Sequence, residues 1–263
     1  NYMAFNGYAF QGLRETDDPG ETPIVLPMFD YNHVGEADRL GGRPSLDVNL
    51  LALTRTGGAD TRRLSVKGGW RLPYIGPMGD VYALSTTLTG DLYHVDGLVR
   101  SGKTGTHSGF NGRLIPQLAF DWRYPFVREE EGVYQLVEPI ASVVVSPYGG
   151  NPDTIPNEDS LDFEFDDTNL FRANRFTGLD RIEGGPRINY GLKWGVFGRG
   201  GATTVLVGQS LRAKEDDTFA SGSGLEDRFS DIVARVQVRP ADYLAQLYGA
   251  SASLAPFRIP IGL

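Results

Sequence analysis

The sequence predicts an all-β fold of antiparallel, up-and-down strands, and three observations carry that prediction. Alternation of apolar and polar residues with period 2 recurs along nearly the whole chain, giving strands two chemically different faces. Glycine is abundant, 34 in 263 residues, as many turns and close backbone approaches require. No segment has a convincing helical period. Two architectures satisfy these observations. One is a transmembrane β-barrel, greasy outside and polar inside; the other is a soluble sandwich whose apolar faces meet across two sheets. The polar faces favour the barrel, because a sandwich surface in water is usually rich in Lys, Glu and Thr. Here those faces mix Arg, Asp, Asn, Gln and Gly, as a barrel lumen does.

About eleven strands are expected. In chain order they are Tyr2–Leu13, Ile24–Val34, Leu46–Thr54, Arg62–Leu72, Val81–Tyr93, Arg113–Tyr124, Val133–Val145, Arg187–Val196, Ala202–Leu211, Asp231–Arg239 and Tyr243–Gly249. The sixth is one of the two sharpest: Leu114, Pro116, Leu118, Phe120, Trp122 and Tyr124 share one face, against Arg113, Gln117, Asp121 and Arg123 on the other. The eighth sets Ile188, Tyr190, Leu192, Trp194 and Val196 against Arg187, Asn189, Gly191, Lys193 and Gly195. For the last, Pro240-Ala241-Asp242 offers a helix start, but Tyr243, Ala245, Leu247 and Gly249 alternate as well, and a strand is preferred.

Connections after Arg113 alternate in length. Arg128–Gly132, Gly198–Gly201 and Pro240-Ala241 are short, whereas 146–186 and 213–230 are long. Outer-membrane barrels show this pattern, with short periplasmic turns and long external loops. Before Arg113 the rule blurs, since Gly35–Ser45 is long and Gly57–Thr61 short. Trp70, Tyr74, Tyr93, Trp122, Tyr124, Tyr134 and Tyr148 fall near strand ends, as an interfacial aromatic girdle requires. Sheets also favour aromatics in general, so only the group is informative.

Composition excludes several classes. A net charge of −8 and a pI near 5.0 argue against a general nucleic-acid binder. Cys is absent, so disulfides, thiolate metal sites and cysteine nucleophiles are not available. No apolar run approaches the roughly 20 residues of a membrane helix. The chain begins at Asn1 and stops in Ile259-Pro260-Ile261-Gly262-Leu263, which is read as a piece of a longer protein.

Candidate chemistry is thin. The carboxylates Asp153, Glu158, Asp159, Asp162, Glu164, Asp166 and Asp167 offer oxygen ligands for calcium but lack the EF-hand spacing, so a solvated acidic loop is expected. Asp121 and Glu138 are the best pair for glycoside hydrolysis, though nothing in their spacing singles them out. His33, His94 and His107 show no ligand spacing, and Thr106–Gly109 reads as a loop tip. Gly198-Arg199-Gly200-Gly201 and Gly222-Ser223-Gly224 are turn glycines rather than a phosphate loop. No catalytic residue, metal site or cofactor is assigned. Within Asn169–Arg181, Arg172, Arg175, Asp180 and Arg181 are close enough in sequence to pair with one another, and Gly178 permits a turn closed to other residues. Such a network would hold the loop in one shape, for instance folded into a barrel mouth; the plain alternative is a solvated charged loop.

The run Leu170-Phe171-Arg172, Arg175-Phe176-Thr177-Gly178-Leu179-Asp180-Arg181 and Asn189-Tyr190-Gly191-Leu192, followed by Val205–Gln209, resembles the C-terminal barrel of the LptD family. A weaker echo covers Ala37–Leu40 with Pro44. The resemblance implies a partial outer-membrane barrel domain over residues 1–263, cut from a barrel of some 26 strands in a Gram-negative bacterium, with 146–186 an extracellular loop. It implies lipopolysaccharide as cargo, its sugars crossing the polar lumen and its acyl chains leaving through a lateral gate outside this piece. Implied partners are an LptE-like plug lipoprotein and a periplasmic bridge protein that docks on an upstream domain. No bond is made or broken, so no enzyme is implied. Some relatives rely on disulfides, for which this sequence has no Cys. On this reading Leu118, Phe120, Tyr190, Leu192 and Trp194 face lipid, and Gln117, Asp121, Arg187, Asn189 and Lys193 face the lumen. The alternatives are a passive porin or nutrient-receptor barrel and, more remotely, a soluble β-sandwich enzyme acting on glycans.

Overall fold

Two-faced segments joined mostly by tight turns pair with their sequence neighbours, because that closes each ladder over the shortest loop. The computed structural model follows this rule from end to end. It describes residues 1–12, 18–160, 164–198, 200–215, 218–241 and 244–252. Leu13, Asp162, Arg199, Asp242, Tyr243 and the terminal Ile259–Leu263, named above, lie outside the described residues.

Twelve strands are described: β1 (Tyr2–Ala9), β2 (Ile24–Val34), β3 (Arg43–Thr54), β4 (Asp60–Ile75), β5 (Val81–Val99), β6 (Thr106–Arg123), β7 (Phe126–Glu130), β8 (Val133–Val145), β9 (Arg187–Gly198), β10 (Gly201–Arg212), β11 (Ile232–Ala241) and β12 (Leu244–Ala252). They form one antiparallel sheet in sequence order, with β7 beside β8 only. Each of the eleven expected strands is present. The extra one, β7, carries on the line of β6 past Tyr124-Pro125: β8 pairs with β6 along Ile140–Val145 and with β7 along Val133–Val137. Proline cannot donate to the ladder, so the break falls there.

The central strands are longer than alternation predicts. Thr106–Gly109 is the start of β6, paired with the end of β5, not a loop tip. Ladder hydrogen bonds come from the backbone, so pairing continues where the side chains stop alternating. Among the short turns, Glu131 and Gly132 both have positive φ, 50° and 75°. That is the two-residue geometry whose twist matches the flanking strands.

The register separates the two faces cleanly. On one face run cross-strand rows such as Leu50–Leu64–Leu92 and Phe120–Val143–Ile188, with Leu192 opposite Val207 farther along. These side chains are exposed, and Leu118, Phe120, Tyr190, Leu192 and Trp194 keep 39% to 49% of their surface open. An apolar band this continuous is far larger than the patches water-soluble monomers carry. The opposite face holds Asn49, Arg63, Ser65, Asp91, Arg113, Ser142, Arg187, Asn189, Ser210 and Arg212, nearly all of them buried. The segments 146–186 and 213–231 bury them, at the end of the sheet that also carries connections 10–23, 55–59 and 100–105. The tight turn at 131–132 marks the other end.

Candidate functional site

The segment 146–186 is not a solvated loop. It lies on the polar face, and its turns are set locally. The Asp166 carboxylate accepts the N–H groups of Thr168 and Asn169 and the Thr168 hydroxyl, closing a turn that aims Leu170 at the sheet. Leu170 is fully buried with Phe165, Phe176, Phe219, Leu225 and Val233. Phe176 stacks on Phe219 at 4.9 Å, so the segment 213–231 shares this small core. Beneath it are Gly191 and Gly208, paired across β9 and β10. A Cβ on Gly208 would lie 2.4 Å from Leu170 Cδ2, so only glycine admits this approach.

Asp180 ties the segment to the sheet. Its Oδ1 accepts from Arg63 Nη1 on β4 at 2.6 Å and from the Tyr93 hydroxyl on β5 at 3.0 Å. Its Oδ2 accepts the Glu158 and Asp159 N–H groups at 2.8 and 3.3 Å. Arg63 also bonds Asp159 at 2.6 Å and Asn49. Next to it Arg113, held by Asp91 at 2.6 Å, donates to the carbonyls of Gly150, Leu179 and Asp180. Arg63 and Asp180 are almost inaccessible, so removing either charge would strand the other, a change that costs about 3–5 kcal/mol in buried pairs. Gly178 does not take a left-handed turn. Its role is close approach, since a Cβ there would come within 2.1 Å of Asp159 Oδ1. Burial alone would raise the Asp159 carboxyl, but the Arg63 guanidinium and the N–H groups of Leu179 and Asp180 hold it below the usual carboxylate range.

A second cluster surrounds Glu183. Its Oε1 lies 2.8 Å from Arg175 Nη1, 3.0 Å from Arg212 Nη1 and 3.3 Å from Arg187 Nε, all buried. Among the described residues the three guanidiniums also meet neutral acceptors, the carbonyls of Leu170, Ala173 and Gly184 with the Asn189 and Ser210 side-chain oxygens. The ring faces of Phe165 and Phe219 lie 5.4 and 5.0 Å from Arg175 and Arg212. Burial pushes the Arg175 guanidinium below its ordinary value, with Glu183 opposing.

These contacts redistribute the expected pairs. No salt bridge joins Arg172, Arg175, Asp180 and Arg181 to one another: Arg172 is exposed, and Arg181 donates to the backbone carbonyls of Ile155, Pro156 and Asp180. Strand cations lie nearer than loop ones, because docking brings the loop against rows spaced by the sheet. The acidic run also finds its cations on other elements: Asp153 pairs with Lys103 and Glu158 with Arg55, both in neighbouring connections, and Asp167 with Arg235 on β11. Asp121 accepts from Ser142, and Glu138 sits 3.9 Å from both Arg123 and Lys193, so each carboxylate has polar or cationic neighbours of its own on the sheet. His94 lies beside Arg62, His107 beside Asn111 and His33 beside Asn1. Tyr93 is not part of a girdle. It is fully buried on the polar face, whereas Tyr74 and Tyr82, Tyr82 and Phe120, and Tyr124 and Phe126 form ring pairs at the short-turn end. Sequence reasoning missed Arg63, Tyr93, Arg113, Glu183 and Arg212. Alternation places the strand members on the polar face, but nothing local marks them as partners of a distant loop.

Gln117, Asp121, Arg187, Asn189 and Lys193 all lie on the polar face. Gln117 and Arg187 bond the Ala173 carbonyl, Asn189 bonds Arg175, and Asp121 and Lys193 lie farther along toward the short turns. Below the docked segment a recess of about 480 Å³ opens against the sheet, lined by Lys67, Arg71, Gln117, Asp121, Phe171 and Arg172. Its lining mixes charges of both signs with an amide and an aromatic ring.

Comparison with known proteins bears on most of the chain. The family model described as "LptD: LPS transport system D" matches residues 1–247. No curated protein matches. Among solved structures, the crystal structure of BamA from Haemophilus ducreyi lacking POTRA domains 1–3 aligns with a TM-score of 0.34 and 10% identity. That alignment covers 86% of this chain and 60% of the other, so this chain spans about three fifths of that protein's length.

Proposed function

The chain belongs to the LptD family of Gram-negative outer-membrane β-barrels, and on that premise we propose that it forms part of the wall and lining of a barrel that delivers lipopolysaccharide to the outer leaflet. The supporting observation is the family match along residues 1–247, borne on a sheet with one greasy and one polar face. In this reading the apolar band, Leu118, Phe120, Tyr190, Leu192 and Trp194 included, meets lipid. The face bearing Gln117, Asp121, Arg187, Asn189 and Lys193 lines the lumen. Residues 1–263 are a partial barrel domain, and 146–186 is an external loop turned inward. Saccharide moves past the recess beside Lys67 and Arg71 while the acyl chains leave through a seam elsewhere in the parent, helped by a plug lipoprotein and a periplasmic bridge. The family is one of transport and assembly, and no chemistry of bond making is needed.

The test is photo-crosslinking in cells from Arg71 and Lys193, with a pulse of labelled lipopolysaccharide. Adducts at both positions should form during the pulse and fade in the chase. Failure of labelled lipopolysaccharide to reach either position, with small solutes passing freely, would return the chain to a passive porin or receptor.

A further inference from the structure

The outward face carries one feature that cargo transport does not use. Among the described strand residues this apolar face holds two guanidiniums. Arg128, at the short-turn end, is bonded to Glu130. Arg62, near the long-loop end, directs its side-chain hydrogen bond to an imidazole, donating from Nη1 to His94 Nδ1 at 3.3 Å. Because that nitrogen accepts, Nε2 carries the ring N–H. Phe110 packs edge-on against His94 at 4.7 Å, and the three residues are cross-strand neighbours on β4, β5 and β6. One row toward the middle of the sheet lie Leu50, Leu64 and Leu92, 40% to 50% exposed, and with the polar row they line a shallow groove of about 400 Å³.

We propose that this groove holds a phosphate-bearing anionic membrane lipid, its phosphate on Arg62 and His94 and an acyl chain along Leu50, Leu64 and Leu92. The occupant follows from position and charge. A barrel's apolar band meets acyl chains, and a cation at its upper edge stands where head groups lie. Arg62 offers a planar fork matched to phosphate oxygens, and His94 adds a second donor. The carboxylates one row farther out are engaged: Asp60 accepts the Arg55 N–H and Asp96 the Ser108 hydroxyl. They confine an anion to the Arg62 row. The inference rests on the outward facing proposed above but not on lipopolysaccharide as cargo.

The test uses the full-length protein in detergent with equal amounts of phosphatidylglycerol and phosphatidylcholine, counting retained lipids by native mass spectrometry. Phosphatidylglycerol should be retained over phosphatidylcholine by about fivefold, the effect of one cation near a lipid surface. Arg62→Gln should bring the ratio near unity, Arg62→Lys should keep most of it, and Lys67→Gln, on the polar face, should leave it unchanged. No preference in the unaltered protein, or a preference that survives Arg62→Gln, overturns the proposal. Because the Arg71 and Lys193 crosslinks read the lumen separately, their persistence in Arg62→Gln would confine a failure to the lipid site.

Discussion

A single carboxylate, Asp180, joins two strands and two turns of the loop. Its neighbour Asp159 makes that junction sensitive to acid. Asp159 bonds Arg63 and receives the N–H groups of Leu179 and Asp180, and its carboxyl is held below the usual range. A group whose folded value is depressed contributes stability above its unfolded value, and the contribution fades as pH falls through the folded value. The Leu179 and Asp180 amides should therefore be protected at neutral pH and lose protection below about pH 4. Hydrogen exchange corrected for intrinsic rates measures this. Asp159→Asn should weaken protection at neutral pH and flatten the acid step, and equal protection across the acid range would refute the coupling.

At the scale of the strand, neighbouring positions face opposite solvents. In β9, Leu192 stands in the apolar band opposite Val207, while Lys193 lies near Glu138 on the polar side. An Arg at Leu192 should destabilise the barrel by about 2–4 kcal/mol if the site is near the bilayer midplane, whereas Lys193→Arg should be nearly silent. Denaturant titration of the parent barrel in lipid checks the pair, and similar tolerance at both positions would undo the facing assignment. The strands that face the loop obey a further constraint. Gly191 and Gly208 open the sheet surface for Phe171 and Leu170, so these glycines serve the element above them rather than their own turn.

For the whole molecule the question is what the docked loop does to the opening. The sheet is held by continuous ladders from β1 to β12, none of which needs the segment 146–186. Replacing residues 151–182 with a short Gly-Ser linker should leave heat-modifiable barrel assembly in place. It should also raise entry of large hydrophilic antibiotics several-fold, because the inner wall would be uncovered. Unchanged permeability in a correctly assembled barrel would mean that the loop does not narrow the path.

Alternation alone determined the sheet. With side chains at period 2, each strand's apolar set shares one side, so the common face of Leu118 and Phe120, and that of Tyr190, Leu192 and Trp194, was legible in the residues themselves. The glycine turns were legible from local sequence as well, whereas β7 beyond Pro125 was not. Neither was the docking of 146–186. Its carboxylates pair with Arg63, Arg187 and Arg212 and its carbonyls bond Arg113, all of them sheet residues that the register brings into one field. Nor could the motif reveal that Gly178 is needed for contact rather than for a turn, since that depends on how near Asp159 approaches. Local periodicity sets which face is polar; tertiary packing decides which polar groups meet, because each buried charge must find its partner across the chain.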